Sequence, residues 1–449
     1  MLREFNNTRN QFACQQVFGN YFSDNTIQNI SCNLYSVQDT KDVSCPYCGE
    51  KHVMVHDNYT TSLLDMPFYP GIKQYVNVTY HKYKCTSCNK VFNEDIYFKD
   101  PDARITTRAA MWVTVLLRLG FCISAVSNIT GINWVALNKI HTRVMNEALE
   151  NRAQMLRNSG YKPTYLAVDE FAIHKGHTYA TCVMDLSTGE VLWVGKGRSI
   201  EDFRHFFKEM DMDYLSEVKA FAMDMNASYN KLVEEYMPYV DIVFDRYHMQ
   251  AQYGKDVLGS VRLEEARKHK DKADELRSSI SPNLDLETRR SLKQEANKES
   301  RQYSSIKRAR WMVLANNTNL KEHKKESLEK ILSEHSNLAV CYAMKEEMCS
   351  LFELRDPELA MIGWEQWFKA AKESGIPQLI RFAELKEKRL TGLISHAAHP
   401  ISTGKLEGLN NKIKVAKRVG YGYRDDDYFF TLVRYLSLPA SFISLPQKM

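Results

Sequence analysis

Two short cysteine pairs restrict the fold of this chain more than any other feature of its sequence. Cys45 and Cys48 form one C-x-x-C motif, and Cys85 and Cys88 form another, with strand-like sequence between them. Two thiolates at this spacing cover one side of a tetrahedral Zn²⁺, and a second pair completes the coordination shell. Because four thiolates leave no open position, the pattern predicts a structural zinc site at the base of a β-rich finger.

Two alternatives to this zinc site stay open at the level of sequence. The cysteines would also fit a redox pair or simple buried thiols. A nearby histidine would also be able to replace one cysteine ligand, and the candidates are His52, His56 and His81.

The length and composition of the chain indicate a globular protein with several domains. A chain of 449 residues is too long for one ordinary core, and its hydrophobic share of 44% supports packed interiors rather than disorder. The net charge of +5 is only a weak indication of a polyanionic partner. The N-terminus is polar, and no apolar stretch reaches the length of a membrane span, so we expect a soluble, intracellular protein without membrane contact.

Changes in composition and hydrophobic periodicity divide the chain into six segments. The first, 1–40, is polar and is expected to be a short helical lead-in. The second, 41–100, holds the cysteine pairs and alternating strands, in which Val76, Val78 and Tyr80 share one face. The remaining segments are 101–158, 159–254, 255–395 and 396–449.

The segment 101–158 predicts three helices. Thr106 or Thr107 is expected to cap the first, which runs to about Leu119. The second is capped by Ser124 and ends at Gly131, and Asn133 caps the third. A helix, a short helix, a glycine turn and a longer helix together predict a helix-turn-helix DNA-binding domain.

The third of these helices carries Lys139, Arg143 and Asn146 on one outer face. These residue types suit contacts with phosphates and base edges, so we expect them to bind DNA. An ordinary helical linker with a solvated polar face is the alternative.

The three segments that follow differ sharply in periodicity. The order of strands and helices in 159–254 is β-β-β-α-β-α-β, which predicts a mixed sheet with helices packed on it. Strand character disappears in 255–395, where long, charged helical sequence predicts an all-α insertion. The last segment, 396–449, holds a Gly/Ser/Pro loop, a basic helix and an amphipathic helix. The chain therefore has the fold class of a multidomain α/β protein.

Two aspartates end apolar strands of the mixed sheet. Asp169 ends the strand at 165–169, and Asp224 ends the strand at 218–224. A carboxylate at the end of a core strand is costly unless a cation or hydrogen bonds compensate it. On neighbouring strands, two such carboxylates would form a site for a divalent metal. Strand-end aspartates are also common turn formers, which is the alternative.

A third acid, Glu407, enters a helix amid basic residues. Its neighbours are Lys405, Lys412, Lys414, Lys417 and Arg418. One acid among cations suits a site that holds metal ions and passes a phosphate backbone across them. Two Mg²⁺ (or Mn²⁺) ions about 4 Å apart would activate the attacking oxygen and stabilise the leaving oxygen of an in-line displacement.

At these residues the chain resembles the bacterial insertion-sequence transposases with an RNase H-like DDE domain, most closely the family called ISL-three (ISL3). The paired-cysteine finger and four passages carry the resemblance: AVDEFAIHKG, FAMDMNASY, VFDRYHMQ and STGKLEGLNNKIKVAKRVGYGYR. The resemblance implies catalysis at the matching Asp169, Asp224 and Glu407. It also implies accessory roles in positioning DNA for Asp245 and His248, which resemble the D-x-x-H motif that related transposases carry after the second aspartate.

The resemblance further implies the partners and the division of labour along the chain. We expect a zinc finger at 41–100, a DNA-binding domain at 101–158, and a catalytic domain formed by 159–254 and 396–449 around the insertion. The substrate would be double-stranded DNA, as terminal inverted repeats and as a target, bound by a homodimer or higher oligomer in the bacterial cytoplasm, at the nucleoid. A DNA-binding regulator without catalysis and a metal-dependent nuclease without strand transfer are the alternatives.

Overall fold

The computed structural model describes residues 29–35, 43–69, 72–174, 176, 178–225, 227–315 and 319–443. The chain forms two compact units, of which the first contains 1–161 and 411–449 and the second contains 162–410. Within the described ranges, no helix combines the length and the apolar character needed to cross a bilayer. Most of the predicted lead-in lies outside the described residues.

A mostly antiparallel sheet opens the described part of the first unit. Its strands are β1 (Asn29–Tyr35), β2 (Val53–Tyr69), β3 (Ile72–Cys85) and β4 (Val91–Asn93). The order is β1-β3-β2, with β4 also paired to β3. Leu63, Val76 and Val78 form the core of this sheet, with Tyr80 packed against them. The predicted shared face of Val76, Val78 and Tyr80 is therefore confirmed.

Strand β1 differs from the helix expected in the lead-in. It pairs in parallel with β3 from Asn29↔Lys73 to Tyr35↔Thr79. The free edge of β3 offers backbone hydrogen bonds along the whole of this segment, and this tertiary pairing overrides a weak local helix signal.

Three helices follow the sheet of the first unit. They are α1 (Thr107–Arg118), α2 (Ile123–Thr130) and α3 (Trp134–Asn158). Thr106 and Asn133 cap α1 and α3 through their side chains, and Gly131 ends α2 in the left-handed region at φ 71°. The predicted Ser124 cap is wrong. Helix α2 begins at Ile123 after Cys122, which makes no side-chain cap, and this start buries Ile123 with the helix core.

The C-terminal helices of the first unit pack on α3. They are α16 (Asp426–Ser437) and α17 (Ala440–Ile443), and they follow α15 (Gly404–Val419), which belongs to the first unit from Asn411 onward. His141 on α3 is buried, and its Nδ1 lies 2.7 Å from Tyr428 Oη on α16.

The second unit is built on a five-stranded mixed sheet. Its strands are β5 (Tyr165–His174), β6 (Thr178–Asp185), β7 (Val191–Lys196), β8 (Ala220–Met223) and β9 (Asp241–Phe244). The order is β7-β6-β5-β8-β9, in which β5, β6 and β7 are antiparallel while β5, β8 and β9 are parallel. The predicted mixed sheet is confirmed.

Helices pack against this sheet. On one face, α4 (Ile200–Glu209) and α5 (Ala227–Tyr236) bury an aromatic cluster that includes Phe203, Phe206 and Phe221. At the edge of the sheet, α14 (Leu390–Ala398) packs on β9 so closely that a Cβ on Gly392 would lie 2.4 Å from the Phe244 ring. Glycine at this position allows the helix to approach the strand.

Most of the described residues between β9 and α15 are helical. The helices are α6 (Arg246–Tyr253), a π-helical turn (Gly254–Leu258), α7 (Gly259–Ser278), α8 (Leu286–Arg308), α9 (Arg310–Leu314), α10 (Glu322–Glu334), α11 (Ser336–Leu351), α12 (Pro357–Glu373), α13 (Pro377–Glu387) and α14. Trp364 and Trp367 are fully buried in their common core. No strand occurs among the described residues of this region.

Candidate active site and metal centre

Asp169 lies within β5, and Asp224 directly follows the parallel neighbour β8. The prediction that Asp169 ends its strand is wrong, because pairing with β6 continues β5 as far as His174. β5 pairs with β8 in the register Ala167↔Ala222, and each aspartate follows two residues later. Residues two apart on a strand point to the same face, and neighbouring strands lie about 4.8 Å apart. The two carboxylates therefore lie side by side at one end of the sheet.

The two aspartates differ in their surroundings. Asp169 is half-buried, and burial raises the pKa of its carboxyl group, which the Glu170 backbone N–H partly opposes by donating to Oδ1 at 2.7 Å. Asp224 is exposed and accepts a hydrogen bond of 2.6 Å from the Met225 backbone N–H. Asp169 has therefore lost part of its hydration, and a bound cation would compensate for this loss.

Three contacts hold the first half of α15 against the end of this sheet. Asn410 Nδ2 donates to Asp169 Oδ2 at 2.8 Å, and Thr403 Oγ1 donates to buried Asp245. Lys405 Nζ donates to the carbonyls of Leu186 and of the next residue, at 2.6 and 3.1 Å, in the β6–β7 turn. These contacts fix the part of α15 that carries the predicted third acid.

Glu407 lies one helical turn before Asn410 and is exposed. Residues three apart on a helix share a face, so Glu407 is on the side of α15 that contacts Asp169. Among the described residues, the three acids are not a group whose ligand atoms all lie within 4.8 Å of one another. One ion would therefore not reach all three without movement, whereas two ions about 4 Å apart span a wider set of ligands.

The end of β9 adds an acid and a histidine to this site. Asp245 is buried, and its side chain caps α6 by accepting from the Tyr247 backbone N–H at 3.0 Å. His248 lies between two acids, with Nδ1 3.6 Å from Asp224 Oδ2 and Nε2 3.8 Å from Asp245 Oδ2. The structure thus brings the two predicted accessory residues to the same end of the sheet as Asp224.

Asn410 and Thr403 are site residues that the sequence analysis did not single out. Asn410 Oδ1 is buried without a hydrogen-bond partner among the described residues, although the same amide is bonded to Asp169. A free amide oxygen beside a carboxylate belongs to the oxygen donor set that hard divalent cations prefer, so this end of the sheet fits Mg²⁺. The available sequence signal was the spacing of Asn410 three residues after Glu407.

The basic residues predicted to bind DNA have different surroundings. Lys405 is engaged with turn carbonyls, as described above. Lys412 Nζ donates to the Leu436 carbonyl at 3.3 Å. Lys414 and Arg418 are exposed, and burial lowers the pKa of half-buried Lys417.

The predicted DNA-binding face of α3 is partly occupied by acids. Lys139 and Asn146 are exposed. Arg143 instead donates to Asp100 and Asp102 at 2.6 Å each. Its guanidinium therefore has carboxylate partners inside the first unit, and a phosphate would compete with them.

The four cysteines of the two C-x-x-C motifs form one cluster. Cys45 Sγ lies 3.6 Å from Cys88 Sγ, and Cys48 Sγ lies 3.7 Å from Cys85 Sγ. The four sulfurs all lie within 4.8 Å of one another, and the three nearby histidines do not belong to the group. Sulfurs about 2.3 Å from a central tetrahedral ion would have this separation, whereas a disulfide bond is much shorter.

The backbone shapes the two knuckles in the same way. Gly49 follows Cys48 at φ 75°, and Asn89 follows Cys88 at φ 59°. Their N–H groups donate to the carbonyls of Cys45 and Cys85, at 2.9 and 3.0 Å respectively. Each pair is therefore closed by a left-handed residue, of a type that tolerates this conformation.

Comparison with known proteins gives the class of this protein. A transposase family model of the DDE type named ISL3 matches residues 166–433, which include all three acids. The Bordetella parapertussis transposase for insertion sequence element IS1001 is 31% identical over 402 residues, which cover 90% of this chain and 90% of that protein. The transposase for IS1557 of two Mycobacterium tuberculosis strains is 21% identical over 309 residues, 69% of this chain and 67% of that protein. The chain is thus a transposase, an enzyme acting on DNA. It belongs to the ISL3-type transposases.

Proposed function

We propose that the chain cleaves and joins DNA at a two-metal site held by Asp169, Asp224 and Glu407. Two observations carry the proposal. Asp169 and Asp224 each follow the paired residues Ala167 and Ala222 of β5 and β8 by two positions, and the Asn410 hydrogen bond brings the Glu407 helix to Asp169. Mg²⁺ or Mn²⁺ ions bound there would activate the attacking oxygen and stabilise the leaving oxygen of an in-line phosphodiester displacement.

The residues around the carboxylates orient them and supply charge. The Glu170 N–H and the Asn410 amide hold opposite oxygens of Asp169, so its carboxylate has one orientation. Thr403 donates a hydrogen bond to Asp245 and fixes its side chain. The ring of His248 lies between Asp245 on one side and Asp224 on the other. His248 thereby lies beside Asp224, where its accessory role would be to position DNA.

The remaining parts of the proposal concern the fold and the partners. The strand order β7-β6-β5-β8-β9, with one acid within β5 and a second directly after β8, supports an RNase H-like catalytic domain. The cysteine cluster supports a structural Zn²⁺. The capped helices α1–α3 support a helix-turn-helix that recognises the terminal inverted repeats, with target DNA as the second substrate and a dimer or higher oligomer joining two ends.

The test compares Asp169→Ala, Asp224→Ala and Glu407→Ala with the wild type on duplexes that carry the ends of the element. Each variant should lose Mg²⁺-dependent cleavage and joining and keep its binding to the ends. Glu217→Ala, at an exposed acid outside the site, is the matched control and should keep both reactions. A site variant that still cleaves would refute the carboxylate assignment.

Pre-cleaved ends separate transposition from simple hydrolysis. If the wild type joins them to a target duplex, the chain performs strand transfer. Cleavage without joining would make it a nuclease, and specific binding without either reaction would make it a regulator.

A further inference from the structure

An open cavity beside Asp224 has a basic wall that the proposed chemistry leaves unexplained. It has a volume of about 630 Å³ and lies within the second unit. We propose that this cavity binds a backbone phosphate of the DNA strand that runs past the scissile bond. The inference rests on the proposed function, because Asp224 forms part of the same cavity wall.

The charge of the cavity wall selects an anion. Four cations line it, and they come from both the sheet domain and the helical insertion: Lys231, Lys386, Lys388 and Arg389. Two carboxylates, Asp224 and Glu234, share the wall. If Asp224 is engaged by a metal ion, the surplus of positive charge increases further, which favours a phosphate over a cationic or neutral ligand.

Lys386 is the cation that the fold itself positions. Its side chain is buried, and Nζ donates to Gln252 Oε1 at 2.5 Å and lies 3.1 Å from Met225 Sδ. Burial, and then the charge of Arg389, lowers the pKa of Lys386. No carboxylate among the described residues forms an ion pair with it. An ammonium group has three donors, so one remains for a phosphate oxygen.

The shape and the lining of the cavity favour a strand backbone over a base. None of the described residues that line it is aromatic, so it has no stacking platform for a base. Lys388 is exposed at the rim, and Asp224 lies in the same wall. A strand that places one phosphate at Asp224 can therefore place a neighbouring phosphate against the lysines.

The experiment measures binding of fluorescent end duplexes without divalent metal, so that catalysis does not enter. Lys386→Gln and Lys388→Gln are compared with Lys369→Gln, an exposed lysine of the insertion that does not line the cavity. Loss of one phosphate contact should lower the slope of log affinity against log salt by about 0.9 for each cavity variant. Lys369→Gln should keep the wild-type slope.

A scan with single methylphosphonate linkages then locates the contacted phosphate. One neutral linkage within a few nucleotides of the cleavage site should weaken wild-type binding, and the same linkage should have no further effect in Lys388→Gln. Two results would overturn the inference. One is that every methylphosphonate linkage weakens binding by Lys388→Gln as much as it weakens binding by the wild type. The other is that the salt dependence of binding is unchanged in both cavity variants. Because exposed Lys388 does not support the core, its variant stays informative if Lys386→Gln fails to fold.

The two proposals fail in different ways. If Asp224→Ala still cleaves DNA, the catalytic assignment is wrong. The phosphate site nevertheless stands if the lysine variants show the lower salt slope and Lys388→Gln no longer responds to the neutral linkage. If Asp224→Ala is inactive and the lysine variants bind like Lys369→Gln, the phosphate site is wrong and the catalytic assignment stands.

Discussion

Asn410 Nδ2 donates a 2.8 Å hydrogen bond to Asp169 Oδ2 across 241 positions of sequence. This contact ties α15 to β5 and therefore sets how Glu407 is presented to the two aspartates. Groups that orient metal-binding side chains commonly contribute as much as one or two orders of magnitude to activity.

We therefore expect Asn410→Ala to lower the rate of Mg²⁺-dependent cleavage by roughly 10- to 100-fold, with little change in binding to DNA. The neighbouring Asn411→Ala, at an exposed residue, is the control and should cleave at the wild-type rate. Single-turnover cleavage assays at several Mg²⁺ concentrations check the prediction. Equal rates for both variants would show that the hydrogen bond has no part in catalysis.

Two lysines of α15 should respond differently to loss of charge. Lys405 donates to the carbonyl groups of the β6–β7 turn, whereas Lys414 is exposed. Lys414→Gln should lower the salt dependence of DNA binding by about one unit of log–log slope, since an exposed lysine is free to contact a phosphate. Lys405→Gln should leave that slope unchanged and lower the midpoint of urea unfolding. The opposite pattern would mean that Lys405 leaves the turn to bind DNA.

The cysteine cluster predicts one tightly bound zinc ion per chain. Cys48→Ser should lose the metal, because three thiolates bind Zn²⁺ less tightly than four. Cys122→Ser, in the same unit but outside the cluster, should retain it. Mass spectrometry of the metal content checks both variants. Since metal binding and folding are linked, a chelator should lower the unfolding temperature of the wild type and have less effect on Cys48→Ser.

The strands that position the site were predictable from local sequence, but the end of β5 was not, because pairing with β6 carries β5 past Asp169 to His174. The apolar runs that end at Asp169 and Asp224 have the length and composition of core strands, and an acid at their ends stands out against the burial cost. The contact of Asn410 with Asp169 was not predictable, since it joins distant residues. The same holds for Thr403 and Asp245, which are 158 positions apart.

Arg143 shows the same limit on the DNA-binding face. Helical periodicity correctly assigns it to the outer part of α3, because Leu137 and Ile140 are buried. Periodicity does not reveal that Asp100 and Asp102, which precede α1, fold back on that face. Such pairing depends on a loop conformation that no local pattern encodes.

Two helical glycines, Gly392 in α14 and Gly408 in α15, should change stability in opposite directions when each is replaced by alanine. A Cβ at Gly392 would lie 2.4 Å from the Phe244 ring, so Gly392→Ala should lower the free energy of unfolding by about 1–3 kcal/mol through overpacking. At Gly408, inside α15, nothing lies within 4 Å of the added Cβ. Gly408→Ala should raise the free energy of unfolding by about 0.5–1 kcal/mol, because alanine restricts the unfolded chain. Urea unfolding of both variants measures the difference, and a stable Gly392→Ala variant would contradict the packing of α14.

Burial of His141 makes the first unit sensitive to acid. Burial lowers the pKa of His141 from 6.5 to about 4, and its ring stays bonded to Tyr428. As the pH falls from 6.5 to about 4, the unfolded chain takes up a proton at this residue while the folded chain does not, so the folded state loses stability. The full loss would be about 3 kcal/mol.

His141→Gln should lose this part of the pH dependence, whereas His56→Gln, at an exposed residue of the same unit, should keep the wild-type profile. Urea unfolding across this pH range measures all three proteins. Parallel profiles for His141→Gln and the wild type would mean that His141 titrates alike in the folded and unfolded states.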